Sequence, residues 1–199
     1  MKDSRLEEIK SRKNLYFFLS KIFERELISK DLEILKDLEI FGALGLDFSV
    51  EGDFIESLSV EFARLFIGPG SHISAYESVH SPTGDGQLYG KVTSSVENYY
   101  QSFGLIKSTP ELLPDHISIE LEFMTLLLDE ELKANLEGDS EREKICTMRQ
   151  KQFFNNHLAN WIPIFCKKLG SFEPCDFYSF FANFTDQFIE AEREVYQSA

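Results

Sequence analysis

The chain has 199 residues, enough for one domain with a buried core, and an unusually large share of them are Phe: 19, against 7 Tyr and 1 Trp. Its formal net charge is −14. With no basic patch to set against that surplus, binding to nucleic-acid phosphates is disfavoured and a basic partner is favoured.

In chain order the hydrophobic spacing is helical throughout. Residues 4–27 carry Leu6, Ile9, Leu15, Phe18, Leu19, Ile22 and Phe23 at helix-like intervals. A shorter helix follows over 30–41, with Ser29 as its cap. Phe54, Ile55, Leu58, Phe62, Leu65 and Phe66 predict a third over 53–66, stopped by Gly68-Pro69-Gly70. Residues 67–84 read as a long loop, a kind of segment that often carries function. A helix over 85–102 ends at Gly104. Pro114 restricts Leu113 to extended geometry. Asp115 then reads as the N-cap of a helix running to about 135, with His116 in the first turn and Glu120 one turn further on the same face. Residues 141–168 predict a long helix that Pro163 kinks or splits. The last helix, over 175–197, carries a stripe of Phe177, Phe180, Phe181, Phe184 and Phe188, which reads as core. With no hairpin pattern, the fold is expected to be all-α, a single domain of about six to eight helices.

Cys146, Cys166 and Cys175 are odd in number and form no CxxC, which argues against a disulfide framework or a zinc site and fits a reducing cytoplasm. No run reaches the ~18–20 apolar residues of a membrane span. The run from Leu15 to Leu19 follows Glu7 and Glu8 and is too short for a signal-peptide core. A cytoplasmic location without direct membrane insertion is therefore expected.

Polar residues at two places suggest chemistry. Asp115, His116 and Glu120 stand together at one helix entrance, where they serve as capping groups, a recognition site or an acid–base set. Glu77-Ser-Val-His80 matches ExxH, but di-iron bundles need two such motifs on separate helices, and one copy exists here. The alternative of a helical metal-binding or acid–base enzyme would use Asp115, His116 and Glu120 with Glu77 and His80. Gly84-Asp-Gly86 and Gly90 follow no strand, so a dinucleotide fingerprint fails its context. From Glu111 to Glu143 there are 11 acids and only Lys133 and Arg142 against them, a local charge of −9. That segment reads either as a solvated helix face or as an attractor for a basic peptide.

Several motifs together resemble the TorD/DmsD family of cytoplasmic molybdoenzyme maturation chaperones. They are Glu61-Phe-Ala-Arg-Leu65-Phe66-Ile-Gly68-Pro69-Gly70, then Tyr76-Glu-Ser-Val-His80, then Leu113-Pro114-Asp115-His116 with Glu120, and Phe154-x-x-His157-Leu-x-x-Trp161-x-Pro163-x-Phe165. The resemblance spans roughly 10–190. It implies two helical lobes, about 1–110 and 111–199, joined by a hinge near Pro114-Asp115-His116. It implies a non-enzymatic protein, without cofactor or metal of its own, that binds the twin-arginine signal peptide and the catalytic subunit of an exported molybdoenzyme until its cofactor is inserted. Monomer and homodimer, including a domain-swapped one, are both open. Carried over by motif, the binding surface comprises Leu65, Phe66, Gly68, Pro69, Tyr76, His80, Pro114, Asp115, His116 and Glu120. The chain departs from the family where some members have tryptophans: here Phe62, Tyr76 and His80 stand. It departs again before the proline, where Leu113 replaces the usual glutamate and Glu111 lies three residues upstream. Some members bind a guanine nucleotide, and nothing in this sequence points to one.

Overall fold

The structure is a computed structural model that describes residues 2–37, 52–70, 72–84, 86–105, 111–172 and 176–198. Helix α1 (Lys2–Glu24) buries Ile9, Tyr16, Leu19 and Phe23, whose steps of seven, three and four residues put them on one face. That face lies along α6 (Ile117–Glu137) and touches α9 (Asp176–Ser198). Helix α2 (Ser29–Asp37) begins at Ser29, but its first turn is held by Asp31, whose carboxylate accepts the Ile28 N–H at 2.9 Å. The predicted continuation of α2 to 41 lies outside the described residues, as does Cys175.

Helix α3 (Gly52–Phe62) widens into a π-helical turn, Ala63–Ile67, and stops at Gly68 as its sequence predicts. The Gly68 N–H bonds the Ala63 carbonyl at 2.7 Å, and a Cβ at Gly68 would sit 3.3 Å from that oxygen. The expected loop after it contains a single helical turn, α4 (Glu77–His80). Helix α5 (Lys91–Ser102) starts later than its hydrophobic pattern suggests, because residues 86–90 are taken up by turns. Helix α6 ends at Gly138, whose φ of 74° is the left-handed cap that glycine adopts without strain.

The long helix expected over 141–168 is divided, though not at the proline. Helix α7 (Ser140–Phe153) passes through a π-helical turn, Phe154–Leu158, into α8 (Ala159–Gly170), and Pro163 lies inside α8. Pro163 has no N–H to give the Ala159 carbonyl. Arg193 of α9 supplies the missing donor, its Nη2 reaching Ala159 O at 3.0 Å. The helix therefore continues past the proline, and the irregularity falls one turn earlier.

Residues from α1 to α9 contribute to one contiguous apolar core, so the segments before and after residue 110 share it. Phe177, Phe181 and Phe188 of the C-terminal stripe are buried in it, and Phe180 and Phe184 pack against it half-buried. A polar chain threads this core. Arg12 forks onto Glu192 at 2.7 and 2.8 Å and also donates to Tyr196, while Tyr16 donates to Glu192 at 2.9 Å. Tyr196 passes the chain to Gln150 at 3.2 Å, and Gln150 donates to Glu131 at 2.7 Å, which Arg5 also pairs. Glu192→Ala would leave the Arg12 charge buried without its carboxylate and should cost on the order of 3–5 kcal/mol in urea unfolding. Glu190→Ala, which loses a solvent-exposed pair with Arg193, should cost no more than about 1 kcal/mol in the same measurement.

Candidate functional site

Two segments far apart in sequence cross beside α4 and the start of α6. Tyr76 and His116 form an antiparallel bridge, flanked by Glu77 N–H to Asp115 O and Ile117 N–H to Ala75 O, both at 2.9 Å. The Asp115 carboxylate does not cap the helix that follows it. Its Oδ2 accepts the Ser78 N–H at 3.0 Å and so caps the α4 turn across the bridge. The N-cap of α6 is His116, whose Nδ1 accepts the Ser118 N–H at 3.2 Å and lies 2.7 Å from the Ser118 hydroxyl. With Nδ1 accepting, the ring proton of the neutral imidazole sits on Nε2. The Pro114 carbonyl takes the Tyr100 hydroxyl at 3.0 Å, which fixes the approach to the bridge.

Behind the crossing lies a cluster of buried acids: Glu77, Asp115 and Glu120. Glu77 Oε2 is 2.8 Å from Nδ1 of His157, and Glu120 accepts the Trp161 N–H at 3.0 Å. Among the described residues Asp115 Oδ1 meets no hydrogen-bond donor, and the Glu120 carboxyl lies in hydrogen-bonding contact with that of Glu77. Burial, then the neighbouring charge of Glu77 and further that of Asp115, push the Glu120 carboxyl well above the ordinary carboxylate range, against the pull of the Trp161 N–H. His80 stacks on Trp161 with the ring planes 7° apart. Its Nε2 lies 2.6 Å from the Ser74 carbonyl, which can only accept, and its Nδ1 is 3.1 Å from the Lys168 ammonium, which can only donate. That arrangement suits a neutral ring, and burial, opposed by the Ser74 bond and aided by Lys168, pushes its pKa down.

In front of the crossing is a groove of about 680 Å³. One wall is Phe62, Phe66 and Ile67, and another is the connection from Glu24 to Ile28 between α1 and α2. Ser74, Ala75, Tyr76 and His116 form its floor, and Leu88, Glu111 and Leu112 its far rim. Phe66 is held there by Phe62, with ring centroids 4.8 Å apart, and by the edge of Tyr178.

The residues singled out in the sequence therefore occupy three positions. Phe66, Tyr76 and His116 line the groove. Gly68 and Pro69 make the turn that closes the π-helical wall. Leu65, His80, Pro114, Asp115 and Glu120 lie behind the groove, and Asp115 and Glu120 have no exposed surface. Leu65 is core, with its carbonyl accepting the Ile73 N–H at 2.7 Å. The donor set imagined for a metal or acid–base enzyme does not converge as a whole: Glu77 meets Glu120 and His157, but His80 turns to Ser74 and Lys168, and His116 to Ser118. Among the described residues no group of His, Cys, Asp and Glu is placed to hold a metal ion.

The segment of charge −9 is not a free attractor. Asp129 pairs with Lys13 and Lys133, Glu130 with Lys133 and Arg142, Glu137 with Arg142, and Glu131 with Arg5. Asp139 caps α7 through the Arg142 N–H. Of the segment's exposed acids, Glu111 is the one that reaches the groove. Sequence reasoning missed Ile28, Ile67 and Leu88. Each is an apolar residue in or beside a short connection, outside any periodic stripe, and each is at least 44% exposed.

With its carboxyl pushed up in the folded state, Glu120 keeps its proton to higher pH than it does in the unfolded chain, where its ordinary value is 4.5. Wild-type stability should therefore fall as pH rises from there, until the folded-state carboxyl itself ionises. Glu120→Gln cannot ionise and keeps an acceptor for the Trp161 N–H. Thermal melts at pH 4.5 and 7.5 should show the stability of the variant relative to wild type increasing at the higher pH.

A family profile described as the nitrate reductase delta subunit matches residues 43–167. Chaperone protein TorD of Photobacterium profundum is 26% identical, over 91% of this chain and 92% of its own length. Chaperone protein TorD of Vibrio parahaemolyticus is 25% identical, over 87% and 90%. A crystal structure described as that of a redox enzyme maturation protein from Archaeoglobus fulgidus superposes with a TM-score of 0.61, covering 89% of this chain and 93% of that one at 24% identity, which speaks for the fold. The chain belongs to the nitrate reductase delta subunit family, which includes the TorD chaperones.

Proposed function

We propose that this protein is a cytoplasmic, non-enzymatic chaperone of molybdoenzyme maturation, and that its groove receives the twin-arginine signal peptide of the client subunit. Membership of the family supports the chaperone role. Among the described residues no helix is long and apolar enough to cross a membrane. The observation that carries the peptide reading is the composition of the groove. Ile28, Ile67 and Leu88, exposed by 49%, 65% and 44%, converge on one hollow with Phe66; Glu24, Glu26 and Glu111 line it too, with Arg25, whose guanidinium is taken up by Asp31, and with His72.

A twin-arginine signal has a basic stretch followed by an apolar one. The apolar stretch would bury surface against Phe66 and the isoleucines, in the manner of a helix laid in a groove. The arginines would meet the rim carboxylates, bidentately where the fork fits. In this conformation Asp115 and Glu120 support the groove floor from behind. They would meet a guanidinium directly only if the bridge between Tyr76 and His116 opened, which is the movement a hinge at Pro114-Asp115-His116 would provide. Holding the apo client until its cofactor is inserted completes the role.

Calorimetric titration with a peptide carrying Arg-Arg and its apolar stretch should show binding that weakens with salt, and the Lys-Lys form should bind less tightly because lysine lacks the planar fork. Equal, salt-independent affinity for both would overturn the electrostatic part, and no binding would overturn the groove reading. Phe66→Ala should bind about tenfold less tightly, as expected for losing roughly 1.4 kcal/mol of apolar contact with the peptide, and should lose less stability than Leu65→Ala because its ring is half-buried. Leu65→Ala should instead lose about 2–5 kcal/mol of stability, measured in denaturant, because it leaves a cavity in the core.

A further inference from the structure

Between α4 and α5 the chain passes twice through the left-handed region, at Gly86 with φ 73° and at Tyr89 with φ 63°. For glycine that conformation is free of strain, but for a bulky aromatic residue it is an outlier. Tyr89 is the one non-glycine residue with positive φ among those described. Its ring does not offset the strain by burial, since the residue is 77% exposed. Glycine would serve the turn better, so the ring is retained in spite of the backbone it requires.

The place of the ring shows what it could be retained for. Leu88, its neighbour, lines the groove, and Tyr76 lies on the groove floor. Burial and the charge of Asp115 raise the Tyr76 phenol. Tyr89 itself borders a shallow hollow with Gly90, Lys91 and Ser94. Tyr89 is thus an exposed residue one position along the chain from the groove lining.

We infer that Tyr89 is a clamp that folds its ring over an apolar peptide segment seated in the groove, and that its strained backbone is kept for this purpose. The occupant, a peptide with an apolar stretch and a basic flank, rests on the reading under Proposed function and on the charge complementarity of Glu26 and Glu111 at the same rim. A tyrosine ring supplies a rigid apolar face at little cost in conformational freedom, which suits this task.

The test combines a fluorescent twin-arginine peptide titration with thermal melts of wild type, Tyr89→Gly and Tyr89→Phe. Tyr89→Gly should melt about 2–4 °C higher, because the strain is relieved, yet bind the peptide about tenfold more weakly. Tyr89→Phe keeps the ring and should bind within about twofold of wild type. Wild-type affinity in Tyr89→Gly overturns the clamp while leaving the groove reading intact. A lower melting temperature in Tyr89→Gly, or a Tyr89→Phe variant as weak as Tyr89→Gly, also overturns it. No binding by wild type overturns the groove reading and the clamp with it.

Discussion

The arrangement of the molecule depends on the crossing of residues 75–77 with 115–117. Two backbone hydrogen bonds and one side-chain cap, from Asp115 to Ser78, join segments nearly forty positions apart. The crossing places Tyr76 and His116 side by side, ring centroids 4.9 Å apart, as the floor of the groove. It also seals three carboxyl groups away from water. Buried acids are costly unless protonated or well bonded. Here Trp161 and His157 supply bonds to Glu120 and Glu77, and Glu120 is pushed towards its neutral form. The polar cluster is thus the fixed backing against which an adaptable surface is built.

Charge is used in two ways in this protein. Much of the acidity of α6 is matched by bases brought from α1 and α7, namely Arg5, Lys13 and Arg142, which helps tie those helices together. The deeper fork of Arg12 on Glu192 does the same for α1 and α9. With 34 acids against 20 bases, much acid is left over for a partner, and two of those carboxylates, Glu26 and Glu111, line the groove. A net charge of −14 therefore gives the sign of the preferred partner but says little about where it docks.

The helices were legible because their apolar residues recur with the helical period, and the breaks at Gly68-Pro69-Gly70 and Gly138 because glycine and proline have local consequences. The split of α7 from α8 was misplaced because Pro163 acts through a missing donor, and that donor comes from Arg193, thirty residues away. Asp115 reads locally as the cap of its own helix for the same kind of reason: the N–H it satisfies belongs to Ser78, far away in sequence. The Pro114-Asp115-His116 motif marked the right region, but spacing alone could not tell that His116 faces the groove and Asp115 the interior. The groove walls at Ile28, Ile67 and Leu88 carry no periodic signal and came into view only with the fold.

The central claim is that the surface in front of the crossing receives the client peptide while the buried carboxyl cluster holds that surface in shape. Hydrogen–deuterium exchange with and without a twin-arginine peptide tests it most directly. The account predicts that protection on binding concentrates in residues 24–28, 62–76, 86–90 and 111–116. Protection falling instead on the exposed faces of α7 or α8, with these four segments unchanged, would contradict it.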